Sequence, residues 1–227
     1  MNISVSGINK SFGRKTVLKD LSFSATGGQC IGILGENGSG KSTLFSVLNG
    51  LQRGEGAFMC DGTDLLINSE MRSEKVGFVP QSPPLLHELT ARDNLRLWYT
   101  KKEMEASLSH GALAMLGISE FLTVPVCKMS GGMNKRLSIG CAIAHNPQIL
   151  LLDEPCSALD IVCKEKIYAY LRDFTAGGGI VVIATHDVYE LSLCDDIYIL
   201  KNGSLGLYEG DRRLECLVKC LKNEQVF

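Results

Sequence analysis

Long apolar stretches are missing from this sequence. A membrane-spanning helix needs roughly 20 consecutive apolar residues, whereas the longest apolar runs here, at residues 149–152 and 180–184, have the length of strands. The N-terminus opens with alternating polar and apolar residues rather than with a signal peptide. We therefore expect a soluble cytoplasmic chain, so that any membrane role depends on a partner.

A charge excess and a regular disulfide pattern are missing as well. With 23 basic and 25 acidic residues, the formal net charge is −2, so nothing electrostatic favours nucleic acid as a partner. The nine cysteines are odd in number and irregularly spaced, which favours reduced thiols. The length of 227 residues allows one large domain, or one domain with an inserted subdomain.

What the sequence does contain is a glycine-rich loop between a strand and a helix. Residues 30–34 are typical of a buried strand, and apolar residues recur at helical spacing as far as Leu51, with Asn49 and Gly50 as stop signals. The loop fits the phosphate-binding pattern of Gly, four variable positions, Gly, Lys and Ser or Thr. It consists of Gly35, Glu36, Asn37, Gly38, Ser39, Gly40, Lys41, Ser42 and Thr43.

This loop predicts that the chain binds a nucleotide polyphosphate. Glycines let successive backbone N–H groups point into one concavity, and the following helix directs its positive end at the same anion. We expect Lys41 to reach the β- and γ-phosphates and the Ser42 hydroxyl to ligate Mg²⁺. A chance match of the pattern in a chain of this length is about one in a hundred, which makes an accidental glycine-rich loop much the weaker interpretation.

The remaining chain indicates an α/β domain interrupted by helices. Alternating segments near the N-terminus favour antiparallel strands, and prolines after Gln81 mark a change to a mainly helical pattern up to about Asn146. Ser130 is a good N-cap for one of these helices. Residues 211–222 predict a terminal helix. A further predicted helix ends at Gly117 and places on one face Leu108, Ala112, Met115 and Leu116.

Two carboxylates follow the apolar strand at residues 149–152. Asp153 and Glu154 stand at the carboxyl end of a core strand, where α/β sheets bind ligands. Asp153 is suited to the Mg²⁺ shell and Glu154 to polarising an attacking water. An exposed pair of loop carboxylates is the alternative, but the four apolar residues before the pair and Pro155 after it disfavour that interpretation.

Five further features, in order along the chain, resemble the nucleotide-binding domain of ABC-type ATPases nearly from end to end. The resemblance implies a P-loop NTPase with a RecA-like core at residues 1–81 and 147–227, an N-terminal antiparallel β subdomain, and an inserted α-helical subdomain at about 82–146. The features are an adenine-stacking aromatic at Phe12, a glutamine loop at Gln81, a signature motif at residues 129–136, a loop at 157–160, and a switch histidine at His186.

The resemblance also implies a mechanism. Two copies face each other head to tail, and ATP with Mg²⁺ lies between the phosphate loop of one copy and the signature motif of the other. His186 holds the γ-phosphate, while Gln81 contacts Mg²⁺ and couples the site to the helical insertion. Lys41, Glu154 and His186 are the implied catalytic residues. The resemblance implies that the nucleotide is bound by Phe12 and the phosphate loop. It adds to them Gln81, Ser130, Gly131, Gly132 and Asp160.

Two functions remain open after this resemblance. The first is the ATP-hydrolysing subunit of an ABC transporter, held at the inner face of the membrane by a separate permease subunit; residues 89–95 look most like export-type members. The second is a soluble ABC-type ATPase for assembly or remodelling. A kinase is disfavoured, because no acceptor pocket is indicated. The sequence leaves the cargo and its direction open, as well as whether the dimer is symmetric.

Three residues depart from the family pattern or leave alternatives open. The family's signature usually has Gln where Met133 stands and Leu where Met129 stands. Methionine fills similar volume but lacks the polar contacts of glutamine, so weaker contacts across the dimer, or pairing with a different ATP-binding subunit, are both compatible with the sequence. Cys156 either makes activity sensitive to thiol reagents or is a buried inert thiol.

Overall fold

An antiparallel sheet forms the N-terminal part of the fold. The computed structural model describes residues 1–157, 159–213, 215–217 and 220. In its first two strands, buried apolar residues alternate with exposed residues, so one face of this sheet lies in the core. In the order β2-β1-β4-β5, the four strands are β1 (Asn2–Phe12), β2 (Lys15–Thr26), β4 (Glu55–Cys60) and β5 (Thr63–Asp64).

A second sheet, with six strands, runs through the centre of the fold. Its inner strands are parallel, and only the edge strand β10 is antiparallel to its neighbour. This confirms the predicted α/β architecture. In the order β10-β9-β3-β8-β7-β6, the strands are β3 (Cys30–Leu34), β6 (Val76–Val79), β7 (Ile149–Asp153), β8 (Ile180–Thr185), β9 (Asp196–Lys201) and β10 (Ser204–Leu207).

Helices cover both faces of the central sheet. Every residue of β7 and β8 is buried, as expected for parallel strands covered on two sides. Within β7, Leu151 packs with the antiparallel sheet, whereas Leu152 packs with the helical insertion. The helices are α1 (Lys41–Leu48), α2 (Ser69–Lys75), α3 (Ala91–Leu95), α4 (Lys101–His110), α5 (Ala112–Met115), α6 (Gly131–Ala142), α7 (Ile161–Ala176) and α8 (Val188–Leu191).

The helical insertion differs from the sequence prediction at one point. The helix predicted to end at Gly117 is divided at Gly111, which has an extended backbone between α4 and α5. Leu116 is buried, but Met115 is exposed. The prediction of a single apolar face was therefore wrong, because a break in the helix changes which residues point the same way. Gly117 does end this segment, in a left-handed conformation.

Two other predictions concern the ends of helices. Helix α1 ends at Leu48, so the apolar spacing that extended to Leu51 was one step too long; Leu51 is exposed. The predicted terminal helix at 211–222 includes residues 214, 218, 219, 221 and 222, which lie outside the described residues.

The described residues contain neither a membrane-spanning helix nor a disulfide. Within the described part of the chain, no helix has both the length and the apolar character to cross a bilayer. All nine cysteines lie in that part, and each is a free thiol. The prediction of reduced cysteines agrees with this structure.

We predict that the two-sided burial of β7 makes its apolar residues critical for stability. Leu151→Ala should lower the free energy of unfolding by about 2–5 kcal/mol, because a fully buried leucine leaves a cavity. Leu51→Ala is the matched control, since that side chain is 68% exposed, and its effect should stay within about 0.5 kcal/mol. Urea unfolding measures both. Equal effects of the two changes would contradict the two-sided core.

Candidate functional site

The glycine-rich loop connects β3 to α1 and leaves the start of that helix open to a ligand. The N-cap of α1 is Gly40, with φ of 112° and no side-chain hydrogen bond to the helix. A Cβ at Gly35 would lie 2.6 Å from Ser39 Oγ and 2.7 Å from the carbonyl oxygen of Leu200. Glycine is thus required sterically at one end of the loop and conformationally at the other. Backbone N–H groups at such a helix start form an anion site.

Lys41 lies inside this loop. Its Nζ donates to the carbonyl oxygens of Gly35 (2.6 Å) and Glu36 (3.1 Å) and lies 4.0 Å from Glu154 Oε1. Burial lowers the pKa of Lys41, and the carboxylates of Glu154 and Asp153 act against that change. The ammonium group is therefore held where the loop and the paired carboxylates meet.

Asp153 ends β7 with an oxygen that lacks a partner. The residue is 2% exposed, and among the described residues nothing forms a hydrogen bond with its Oδ1. Burial raises the pKa of Asp153, and a hydrogen bond with Ser42 opposes this rise. A carboxylate and a hydroxyl are hard oxygen ligands of the kind that Mg²⁺ prefers. The unpartnered buried oxygen and the adjacent Ser42 hydroxyl fit such a cation.

Glu154 has a buried carboxylate on which several side chains converge. Its side chain is 6% exposed. Oε1 lies 2.9 Å from His186 Nδ1, and Oε2 accepts a hydrogen bond of 3.1 Å from Gln81 Nε2. Since an ionised carboxylate only accepts, Nδ1 is the donor in that state. The backbone of Glu154 has φ of 50°, and its N–H donates to the Ala184 carbonyl at 2.8 Å, so the turn aims the side chain at the site.

The sheet explains why these residues meet. The order β3-β8-β7-β6 places four parallel strands side by side, and the chain leaves each of them at the same edge. The phosphate loop follows β3, His186 follows β8, Asp153 and Glu154 follow from β7, and Gln81 follows β6. Residues from four distant parts of the sequence therefore share one edge of the sheet.

The predicted signature motif forms the start of α6, at a different place. The Ser130 hydroxyl accepts from the Met133 N–H at 3.2 Å, and the Ser130 N–H lies 3.4 Å from Met133 Sδ. The thioether thus takes the reciprocal capping position, although sulfur is a weak acceptor. A Cβ on Gly132 would lie 2.6 Å from Cys163 Sγ. Gly132 is therefore packed against α7, whereas Ser130 and Gly131 are exposed at the start of α6.

The loop after the carboxylates is described in part. Ala158 lies outside the described residues. Asp160 caps α7 by accepting from the Cys163 N–H at 2.9 Å, and this hydrogen bond lowers its pKa. Cys156 is fully buried, and burial raises the pKa of its thiol. Of the two alternatives for Cys156, the structure favours the inert thiol.

A cavity of about 470 Å³ adjoins residues 36–39 of the phosphate loop. Lys15 and Lys19 of β2 line it, together with residues 200–203; the sequence reasoning did not single out either lysine. Their alternation within one strand was the available signal, because it puts two positive charges on the same side. Phe12 is half exposed at the end of β1, where Lys10 Nζ lies 4.9 Å from its ring centroid; it is not among the residues lining this cavity.

Loop, lysine and paired carboxylates at the edge of a parallel sheet define a P-loop nucleotide-binding domain. A family model described as "ABC transporter" matches residues 18–157. The chain therefore belongs to the ABC transporter family, and its fold is that of the family's ATP-binding cassette. This confirms the resemblance and the fold class that the sequence predicted.

Relatives and solved structures agree with this assignment. The chain is 35% identical over 208 residues to the Nod factor export ATP-binding protein I of Sinorhizobium fredii, covering 88% of this chain and 60% of that protein. It is 32% identical over 213 residues to the linearmycin resistance ATP-binding protein LnrL of Bacillus subtilis, covering 89% of this chain and 67% of that protein. The chain thus spans about 60% of the length of the first relative.

Solved structures of ATP-binding cassettes share this fold. An ATP-binding subunit of an ABC transporter superposes with a TM-score of 0.86 and 25% identity, covering 98% of this chain and 100% of the other. A dimeric ATP-binding cassette in a post-hydrolysis state, bound to ADP and Pi, has a TM-score of 0.80 and 28% identity, covering 92% and 100%. These structures share the fold of this chain over nearly its whole length.

We predict that Lys41 contributes directly to nucleotide affinity. Lys41→Ala should weaken ATP binding about 10- to 100-fold, because a charge-assisted hydrogen bond to phosphate is lost. Titration with a fluorescent ATP analogue measures the dissociation constant. Lys75→Ala is the control, since Lys75 is at the opposite end of the sheet, beside Gln148. Unchanged affinity in Lys41→Ala would contradict the role of the loop.

Proposed function

We propose that this chain is the ATP-binding and ATP-hydrolysing subunit of an ABC transporter. ATP-driven closure of a head-to-tail dimer, followed by hydrolysis, drives transport through a separate membrane subunit. The observation that carries the proposal is the buried Glu154 carboxylate, which lies 4.0 Å from Lys41 of the phosphate loop and is hydrogen-bonded by His186 and Gln81. This arrangement suits activation of a water molecule next to a triphosphate.

Different residues of the chain bind the phosphates, accept the proton and hold the adenine. The phosphate loop and Lys41 bind and orient the β- and γ-phosphates. Glu154 accepts a proton from the attacking water as the water oxygen bonds to the γ-phosphorus and the bond to the ADP leaving group breaks. His186, whose side chain is half exposed, contacts the γ-phosphate. Phe12 stacks on the adenine, and the β2 lysines beside the cavity attract the phosphates. A positioned base of this kind contributes about 10²–10⁴ in rate.

Mg²⁺ would complete the site. Ser42 and Asp153 would hold it, as the unpartnered Oδ1 of Asp153 supports, with Gln81 at the end of β6 as a further ligand. The cation would neutralise the charge that develops on the phosphate oxygens.

The signature motif closes the site of a second subunit. Ser130 and Gly131 are exposed at the start of α6, as expected if this helix start serves the opposite protomer. The Ser130 hydroxyl and the first N–H groups of α6 bind the γ-phosphate there, and Asp160 lies at the same face. The dimeric cassettes among the solved relatives support this arrangement.

The membrane partner binds the helical insertion. Leu86, Leu97 and Trp98 are large apolar side chains exposed close to Gln81 in the sequence, and an exposed apolar patch marks an interaction site. The relatives' names concern export and resistance, which supports an export-type transporter and a location at the inner face of the membrane.

The first test separates hydrolysis from binding. Glu154→Gln should lower the ATPase rate about 10²- to 10⁴-fold while ATP affinity stays within about threefold, and ATP should convert the variant into a stable dimer. Phosphate release and size-exclusion chromatography measure these results. Glu70→Gln, an exposed change on α2, is the control. Full activity in Glu154→Gln would refute the assigned base.

The second test addresses the membrane partner. From detergent-solubilised membranes, the tagged chain should be recovered with a polytopic membrane protein in comparable amount, and Trp98→Ala should reduce that recovery. Leu207→Ala, an exposed apolar change on β10, serves as the control. Quantitative mass spectrometry measures the ratio. Recovery with soluble proteins only would favour the assembly or remodelling ATPase instead.

A further inference from the structure

A buried lysine joins the signature helix to the glutamine loop of the same protomer. Lys135 belongs to α6 and is only 6% exposed. Its Nζ donates to the carbonyl oxygens of Pro80 and Gln81, each at 3.2 Å. These contacts connect residues 54 and 55 positions apart, from the inserted helices and from the central sheet.

Helix α6 also lies against β6 farther along its length. A Cβ on Gly77 would lie 2.7 Å from the Ala142 carbonyl and 2.9 Å from Pro147 Cγ. Strand and helix therefore approach so closely that there is no room for a methyl group. The lysine contact occurs where β6 ends, and the Gly77 contact occurs where α6 ends, so the helix is held to the strand at two separate points.

Both the side chain and the main chain of Gln81 form hydrogen bonds. Its side chain donates to Glu154 Oε2 at 3.1 Å, while its main-chain carbonyl accepts from Lys135. Prolines at positions 80, 83 and 84 provide no N–H groups to hold this loop. The lysine thus supplies a donor that the loop's own sequence lacks.

The lysine also faces the acidic side of the site. The carboxylates of Asp153, Glu190 and Glu154 all favour its charged form and oppose the effect of burial, which lowers the pKa of Lys135. Five residues before Lys135, at the beginning of the same helix, is Ser130. Lys135 therefore connects the Gln81 main chain to the helix whose first residues are the predicted signature motif.

We propose that Lys135 is a positioning residue that couples the two ATP sites of the dimer. It ties the Gln81 loop, which contacts a protomer's own nucleotide, to the Ser130 helix start, which closes the opposite site. This inference rests on the proposed head-to-tail dimer. Movement of Gln81 when ATP binds or is hydrolysed shifts α6 and thereby changes how well the other nucleotide is enclosed.

The first test compares removal of the Lys135 hydrogen bonds to Pro80 and Gln81 with removal of a lysine hydrogen bond elsewhere. Lys135→Met should lower kcat about tenfold and reduce the Hill coefficient towards one, with nucleotide affinity of the monomer within about twofold. Lys135→Arg, which keeps the donors, should restore most of kcat. Lys75→Met is the control: it removes a lysine hydrogen bond, to Gln148, at the other end of β6, and should change neither kinetic parameter.

A double-mutant cycle tests the route through Gln81. If Lys135 acts by holding this loop, Lys135→Met should cost little additional kcat in a Gln81→Ala background, so the two effects should be non-additive. A lysine that only supports the fold would give additive losses and a lowered Tm. Should Lys135→Met fail to fold, Lys135→Gln is used in the same cycle. Additive effects in either cycle would overturn the proposal.

The results distinguish this inference from the proposed function. The dimer is measured in the Glu154→Gln background, with and without Lys135→Met. If Glu154→Gln dimerises with ATP and Lys135→Met alters neither dimer stability nor kcat, the coupling role is refuted and the transporter ATPase stands. If Glu154→Gln itself forms no ATP-dependent dimer, the proposed function fails together with the inference built on it.

Discussion

The arrangement of the site depends on a carboxyl group that lies inside the protein. Burying such a group is costly unless it is paired and hydrogen-bonded, and the Glu154 side chain is only 6% exposed. His186 and Gln81 bond its two oxygens, and Lys41 lies 4.0 Å away. These partners leave three different strands of the sheet. The contacts of this one carboxyl group therefore connect the ends of β3, β6 and β8 to the end of β7.

The central sheet and the phosphate loop could be predicted because their signals are local. A strand buried on both faces must be apolar at every position, as residues 149–152 are, and a loop that grips phosphate needs glycines at fixed spacing. The carboxyl edge of the sheet then follows from the parallel topology, which brings Gln81, Asp153 and His186 together. The family assignment is confirmed by the family model that matches residues 18–157 and by the relatives.

Features that depend on distant contacts could not be predicted. The division of the insertion at Gly111 reflects packing, since residues on either side of it have ordinary helical character. From the sequence, Lys135 is a charged residue of a helix that could face solvent. Only the fold shows that it is buried and donates to two carbonyl oxygens of a distant loop. The contact of the Met133 thioether with the Ser130 N–H likewise depends on the side-chain rotamer of Met133, which the spacing of residues in the sequence does not reveal.

The left-handed backbone of Glu154 has a consequence for how this protein can change. A non-glycine residue with φ of 50°, followed by a proline that further restricts it, costs about 1–3 kcal/mol relative to an unstrained residue. This penalty falls on the residue that we propose as the base for hydrolysis. With Glu154 in that role, the most stable and the most active versions of this chain are different sequences, and selection for heat resistance alone would lower turnover.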